Sequence, residues 1–337
     1  MLDEKINMGF GFSSSKDSFL ELERYNKDKN KNRLSYGVPY LDDISNGISK
    51  SELVLVGGRT GCGKTELVTS IAAHNALLGK NVYFFALEAE RFEIQNRIAS
   101  RMLFDVYRNI DTGFKKKDRF SYKDLQNGLY DSFLERFYPE VYEQLSEQYK
   151  TLFVKYKLGK FDLDDLRKDL FAIQLQADLI VIDHLQYVDI VDPNENKAIK
   201  EIMQTIRTIV LDIQKPVILV SHLRKADRFN KSIVPDLDDF HGSSDIPKTS
   251  TTSIMISPAY DYKSDSDSIF PTYMRLAKCR EEGSRARYVS LNKFDVRGNK
   301  YLDQYSIGLF KESLDEFKEI TDSGDLPHWY QRGLRNG

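Results

Sequence analysis

From Gly58 the chain reads Gly-Arg-Thr-Gly-Cys-Gly-Lys-Thr, ending at Thr65. Three spaced glycines ahead of a lysine and a hydroxyl residue allow backbone N–H groups to converge on anionic oxygens at a helix N-terminus. In this pattern Gly58, Arg59, Thr60, Gly61, Cys62 and Gly63 form the cradle, Lys64 reaches the β- and γ-phosphates, and Thr65 holds Mg²⁺. The chemistry implied is capture of a nucleoside triphosphate with its metal. Three further polar residues follow apolar runs: Glu88 after Val82–Leu87, Asp183 after Leu179–Ile182, and His222 after Val217–Val220 and Ser221. An acid ending an apolar strand is the Walker B pattern, in which Asp183 helps order Mg²⁺. Glu88 fits a carboxylate that polarises water, and a solvated helix cap fits it equally well. His222 suits contact with a γ-phosphate, although a histidine at a strand end is often structural.

The elements that must hold these residues follow from periodicity. Leu53–Val56 is a short, continuous apolar run entering the glycine-rich turn, and residues 66–73 carry a helical apolar pattern. The continuous apolar runs at 82–87, 179–182 and 217–220 predict buried strands. Ile199, Ile202, Ile206, Ile209 and Ile213 recur at spacings of three and four, which predicts a core-facing helix over 198–213. Asp162 is positioned to cap a helix over 163–176, and 151–156 reads as an edge strand. Alternation of strand and helix predicts an α/β fold with a mostly parallel central sheet flanked by helices. Residues 252–257 and 272–278 are the last main strands, with 289–294 as a C-terminal hairpin partner. The expected division is a leader or linker helix at 1–33, a nucleotide-binding core at 34–311 and a C-terminal tail at 312–337.

Composition narrows the class. With 337 residues there is ample material for a core. No apolar run reaches the roughly 18 residues of a membrane span, and the first residues lack a secretory layout, so a cytoplasmic protein with no membrane contact is expected. The cysteines are Cys62 and Cys279 alone, which supports neither a disulfide framework nor a zinc site. A net charge of −2 excludes a surface that is basic all round, so any nucleic-acid contact is local. Lys115–Arg119 is a basic cluster of the kind usually found on solvated loops.

Taken in order, these motifs resemble the RecA-like ATPase domain of DnaB-type hexameric replicative helicases. The resemblance covers about 33–305, and its flavour is that of phage primase–helicases and the mitochondrial replicative helicase. It rests on Gly37–Leu41, the phosphate loop, Phe84–Glu88, Val181–Gln186, Ser221–Arg224, Gly242–Ser244 and Lys278–Arg280. It implies a RecA-like P-loop NTPase that hydrolyses ATP with Mg²⁺, works as a hexamer on single-stranded DNA, and sits in a bacterial or phage-infected host cell. Glu88 becomes the catalytic base, Asp183 the Walker B acid and His222 the γ-phosphate sensor. Lys278 and Arg280 become fingers inserted into the neighbouring subunit's nucleotide. Two channel loops are implied, one at 194–197 with Asn196 and Lys197, the other over about 228–248 with His241, Gly242 and Ser243 on the DNA backbone.

Two residues depart from the pattern: His184 stands where many relatives have tyrosine, and His241 where an arginine is common. With about 33 residues ahead of the core, a primase-binding helical domain or fused primase is not expected, and a primase or loader protein remains a candidate partner only. The competing readings are a recombinase or KaiC-like regulatory ATPase, or a loader or defence ATPase, that shares the core without unwinding.

Overall fold

The computed structural model describes residues 31–109, 122–128, 135–190, 193–224, 234–240, 245–260, 262, 268–280, 287–296, 298–311 and 316–330, with 15, 19, 21–23, 26 and 27. Helices α1 (Pro39–Ser45), α2 (Lys64–Leu77), α3 (Glu93–Asn109), α4 (Tyr122–Gln126), α5 (Tyr138–Gln148), α6 (Leu163–Ile173), α7 (Glu195–Ile213) and α8 (Asp245–Thr249) surround one sheet. Its strands are β1 (Leu53–Gly58), β2 (Val82–Ala86), β3 (Leu152–Tyr156), β4 (Leu179–Asp183), β5 (Val217–His222), β6 (Thr252–Pro258), β7 (Ile269–Cys279), β8 (Tyr288–Asp295), β9 (Lys300–Lys311) and β10 (Glu316–Glu319). They lie in the order β10-β9-β8-β7-β6-β1-β5-β4-β2-β3. From β3 to β6 every pairing is parallel, and from β6 to β10 every pairing is antiparallel.

The apolar runs are continuous because both faces of the parallel strands are covered. Successive side chains point to opposite faces, so Val54 and Val56 join the core beneath α1 and α2, whereas Leu53 and Leu55 join the core beneath α6 and α7. The isoleucine stripe of α7 is buried in that second core, as its spacing predicts. β1 is fully buried at the centre of the sheet. Its C-terminal end opens into the phosphate loop, so the loop is anchored to a strand buried along its whole length.

Several boundaries differ from the sequence reading. α6 starts where expected, with Asp162 and Asp165 closing a capping box, but ends at Ile173. α7 begins at Glu195, three residues before the predicted start, because the Asn194 side chain accepts from the Lys197 N–H and caps it. The segment 194–197, expected as a channel loop, is therefore the first turn of a helix. The antiparallel part is also larger than a hairpin. β9 and β10 extend it, and Trp329 packs edge-on against Tyr40 and Tyr288 with ring centroids 6.3 and 5.6 Å apart. Residues 316–330, set apart in the sequence as a tail, thus contribute a strand and an aromatic lock on α1 and β8.

Gly57 marks a close approach beneath the phosphate loop. A Cβ there would lie 2.6 Å from Phe240 Cζ and 2.9 Å from Met255 Sδ. Gly57→Ala is expected to lower stability by about 1–3 kcal/mol through overpacking. Thermal melting checks this, and an unchanged midpoint would count against the packing described.

Candidate active site

The loop after β1 is built from glycine conformations that other residues rarely adopt. Gly61 and Gly63 have φ of 75° and 92°, and a Cβ at Gly58 would collide with Cys62 Sγ at 2.3 Å. Gly63 is the N-cap of α2, so the first N–H groups of that helix face the loop. Lys64 is buried and its Nζ donates to the Arg59 carbonyl at 3.0 Å. Burial lowers the Lys64 pKa, while Cys62, Asp183 and Glu88 pull it back up. Together these residues leave an anion cradle whose principal cation is held in place before any phosphate arrives.

Asp183 closes β4 beside this cradle and is 2% exposed. Its Oδ2 accepts from Thr65 Oγ1 at 2.8 Å, and its Oδ1 is buried without a hydrogen-bond partner. Burial pushes the Asp183 carboxyl up to about 6, with Glu88 adding to the rise and the Thr65 hydroxyl and Lys64 opposing it. A buried oxygen lacking a donor, next to a hydroxyl and a phosphate cradle, fits a hard divalent cation. Thr65 and Asp183 are the residues that would hold Mg²⁺, which supplies charge stabilisation for phosphoryl transfer when bound.

Parallel pairing aligns the strand ends, with Ala86 opposite Asp183 and Gly58 opposite His222. Glu88, Asp183 and His222 thereby reach one cavity of about 510 Å³, lined also by Thr60, Gly61, Gly63, Lys64 and Thr65. Glu88 is 44% exposed at its side chain, and its Oε2 accepts from His184 Nε2 at 2.9 Å. His184 in turn meets His222, Nε2 to Nε2, at 2.7 Å. Burial drives the His184 pKa down to about 4, and Lys64 lowers it further. Gln186 ties the two strand ends together: its amide donates to Ser221 Oγ at 3.0 Å and its oxygen accepts from the His222 N–H at 3.3 Å.

Sequence reasoning missed Arg97, which lines the same cavity and pairs with Glu66 and Glu93. Its position about one turn into a helical run carried no motif. His184 was noted only as a departure from a family pattern, yet it is the contact between Glu88 and His222.

Lys278 and Arg280 lie elsewhere. Gly58 is level with Ile256 in β6, which is level with Met274 in β7, and Arg280 follows six residues later. At about 3.3 Å per residue this separates Arg280 from its own phosphate loop by roughly 20 Å along the strands. Its N–H donates to the Thr251 carbonyl, at the opposite edge of the sheet. Arg280 is exposed, while Lys278 Nζ donates to the carbonyls of Pro247, Lys248 and Ser250 at 2.5, 3.2 and 2.6 Å. Burial, then Arg280 and Arg207, lower the Lys278 pKa.

Asn196 and Lys197 are exposed on the first turn of α7. His241, Gly242 and Ser243, and the basic cluster at 115–119, lie outside the described residues. So do residues 228–233 of the second expected channel loop. No helix among the described residues is long and apolar enough to cross a membrane.

A glycine-rich cradle at a helix N-terminus, a carboxylate paired with the loop threonine, and further polar groups at adjacent parallel strand ends define a P-loop nucleoside triphosphatase. Residues 34–292 match the DnaB-like helicase C terminal domain, and the chain belongs to that family. A probable plasmid replicative DNA helicase of Chlamydia muridarum is 27% identical over 229 residues, covering 65% of this chain and 47% of that protein. The replicative DNA helicase DnaB of Mycoplasma genitalium is 24% identical over 288 residues, covering 81% and 57% respectively. The chain thus spans about half the length of these curated relatives. Among solved structures, an ATPase domain superposes with a TM-score of 0.66 at 15% identity, covering 87% of this chain and 99% of that one. A DnaB-like replicative helicase, described with its interactions with primase, gives 0.59 at 15% identity, covering 84% and 62%. These structural likenesses establish the fold, a RecA-like ATPase core with C-terminal antiparallel strands.

Proposed function

We propose that this chain is an ATP-driven replicative DNA helicase that translocates on single-stranded DNA as a hexameric ring. The observation that carries this reading is the placement of Arg280. It is exposed on the sheet edge opposite its own phosphate loop, so the phosphate it would reach is a neighbouring subunit's. In the proposed cycle Lys64 and the loop N–H groups bind the triphosphate of ATP, and Thr65 and Asp183 hold Mg²⁺. Glu88 takes the proton of the attacking water, His222 reads the γ-phosphate, and a neighbour's Arg280 stabilises the charge that develops during transfer. Lys278 would act as a second finger once its ammonium leaves the three carbonyls that hold it. The protein would act in the cytoplasm of a bacterium or a phage-infected host, with a primase or loader as candidate partner.

Single-stranded DNA would run past Asn196 and Lys197, with His241, Gly242 and Ser243 as further backbone contacts of a sequence-blind kind. Lys197→Ala is expected to weaken single-strand binding and to reduce the slope of log affinity against log salt by about 0.7, the value for one phosphate contact. Fluorescence anisotropy over a salt series measures it, and an unchanged slope would remove Lys197 from the interface. The reading as a whole is tested by electron microscopy and ATPase assays with ATP and Mg²⁺. Closed six-fold rings with turnover stimulated by single-stranded DNA are expected. Open filaments that catalyse strand exchange would favour a recombinase instead.

A further inference from the structure

We propose that His184 is a positioning residue that shares one proton between the base Glu88 and the sensor His222, so that the two cannot both hold it. This rests on the roles proposed above for Glu88 and His222. The carboxylate of Glu88 can only accept, so the hydrogen at His184 Nε2 is assigned from the 2.9 Å contact to Glu88 Oε2. That same nitrogen lies 2.7 Å from His222 Nε2, which must then present its lone pair. One N–H faces two acceptors, and a strong hydrogen bond needs a near-linear angle to one of them.

The surroundings hold this arrangement in place. His184 is 1% exposed, and its ring stacks edge-on against both Tyr187 and His222, with centroids 4.7 and 4.1 Å apart. The backbone N–H of His222 donates to the Gln186 side-chain oxygen, which anchors the strand end that carries the ring. Glu88, by contrast, has its side chain in the solvent-open cavity and would be mobile without the His184 contact.

The consequence is a coupling between sensing and base placement. A γ-phosphoryl oxygen is also an acceptor only, so His222 must offer it an N–H. If it does so through Nε2, the ring exchanges tautomer through solvent, losing the proton on Nδ1 and gaining one on Nε2, and it gives up its acceptor role toward His184. The His184 N–H then turns wholly to Glu88 and fixes the carboxylate. Arrival of the γ-phosphate and orientation of the base become one event, and ADP, lacking that group, leaves the proton divided.

The test uses DNA-free ATP turnover and histidine NMR on the full chain. His184→Phe, which keeps shape and loses the donor, is expected to lower kcat by about tenfold or more, the scale of a misplaced catalytic group, with KM for ATP and thermal midpoint within twofold and a few degrees. His184→Gln, which keeps an N–H donor, should recover most of that loss. In a Glu88→Gln background, His184→Phe should cost little more. In ¹⁵N-histidine spectra of the nucleotide-free protein, His184 should carry its proton on Nε2, and His222→Asn should shift that signal. Equal losses in His184→Phe and His184→Gln, losses that multiply with those of Glu88→Gln, or a proton found on Nδ1 would each overturn the proposal. A wild-type protein without ATP turnover would refute the proposed function itself, and the NMR measurement would still decide the proton's position.

Discussion

Arg280→Ala is expected to bind ATP with near-normal affinity and to hydrolyse it about 10³–10⁵-fold more slowly, the range seen when a finger arginine is lost. The size of the effect follows from geometry. Arg280 is roughly 20 Å along the strands from its own phosphate loop, so its loss leaves Lys64, Thr65, Asp183 and Glu88 of the same subunit untouched. Mixing with Lys64→Ala subunits supplies intact fingers to intact loops. In an equal mixture about a quarter of the interfaces in a head-to-tail ring should be competent, and turnover should recover toward that fraction. Neither variant alone should show it. Lys278→Met belongs beside this experiment, because the three carbonyls that hold Lys278 must be given up before its ammonium could reach a neighbour. Full hydrolysis by Arg280→Ala alone would defeat the idea of a site shared between subunits.

Glu88→Gln should lower turnover by about 10²–10⁴-fold, the usual contribution of a general base, while ATP binding and ATP-dependent assembly persist. Glutamine matches glutamate in size and can still accept from His184 Nε2, so the contact between strand ends survives and basicity is what is lost. Asp183 makes a useful contrast. It is nearly fully buried and bonded to Thr65, so Asp183→Asn should raise the Mg²⁺ concentration needed for half-maximal turnover, which Glu88→Gln should not. A Glu88→Gln protein retaining more than about a tenth of wild-type turnover would show that another group accepts the proton.

Much of the site was legible because its parts are local. Strand, glycine turn and helix N-terminus are contiguous from Leu53 to Leu77, and the three strand-end residues are announced by the apolar runs they close. Parallel pairing then does the rest, since strands aligned at one edge bring Glu88, Asp183 and His222 together without further information. Features that depend on contacts between distant elements were not legible. Arg97 enters the cavity only because α3 packs beside α2, and nothing in its own neighbourhood marks it. β9 was missed because Asp303 interrupts the alternation of Tyr301, Tyr305, Ile307 and Leu309, and β10 because its pattern is brief and charged. The start of α7 was misplaced although its signal was present: Asn194 is a good N-cap residue, and a loop was expected there on family grounds. His184 carried the least local signal of all, since its two partners come from the ends of β2 and β5.

The most direct test of the account is strand displacement on a forked DNA with ATP and Mg²⁺. The wild-type chain should release the labelled strand in a reaction that requires hydrolysable ATP and that Lys64→Ala abolishes. Robust DNA-stimulated ATP hydrolysis with no strand released would contradict a helicase and point instead to an ATPase that uses this core without unwinding.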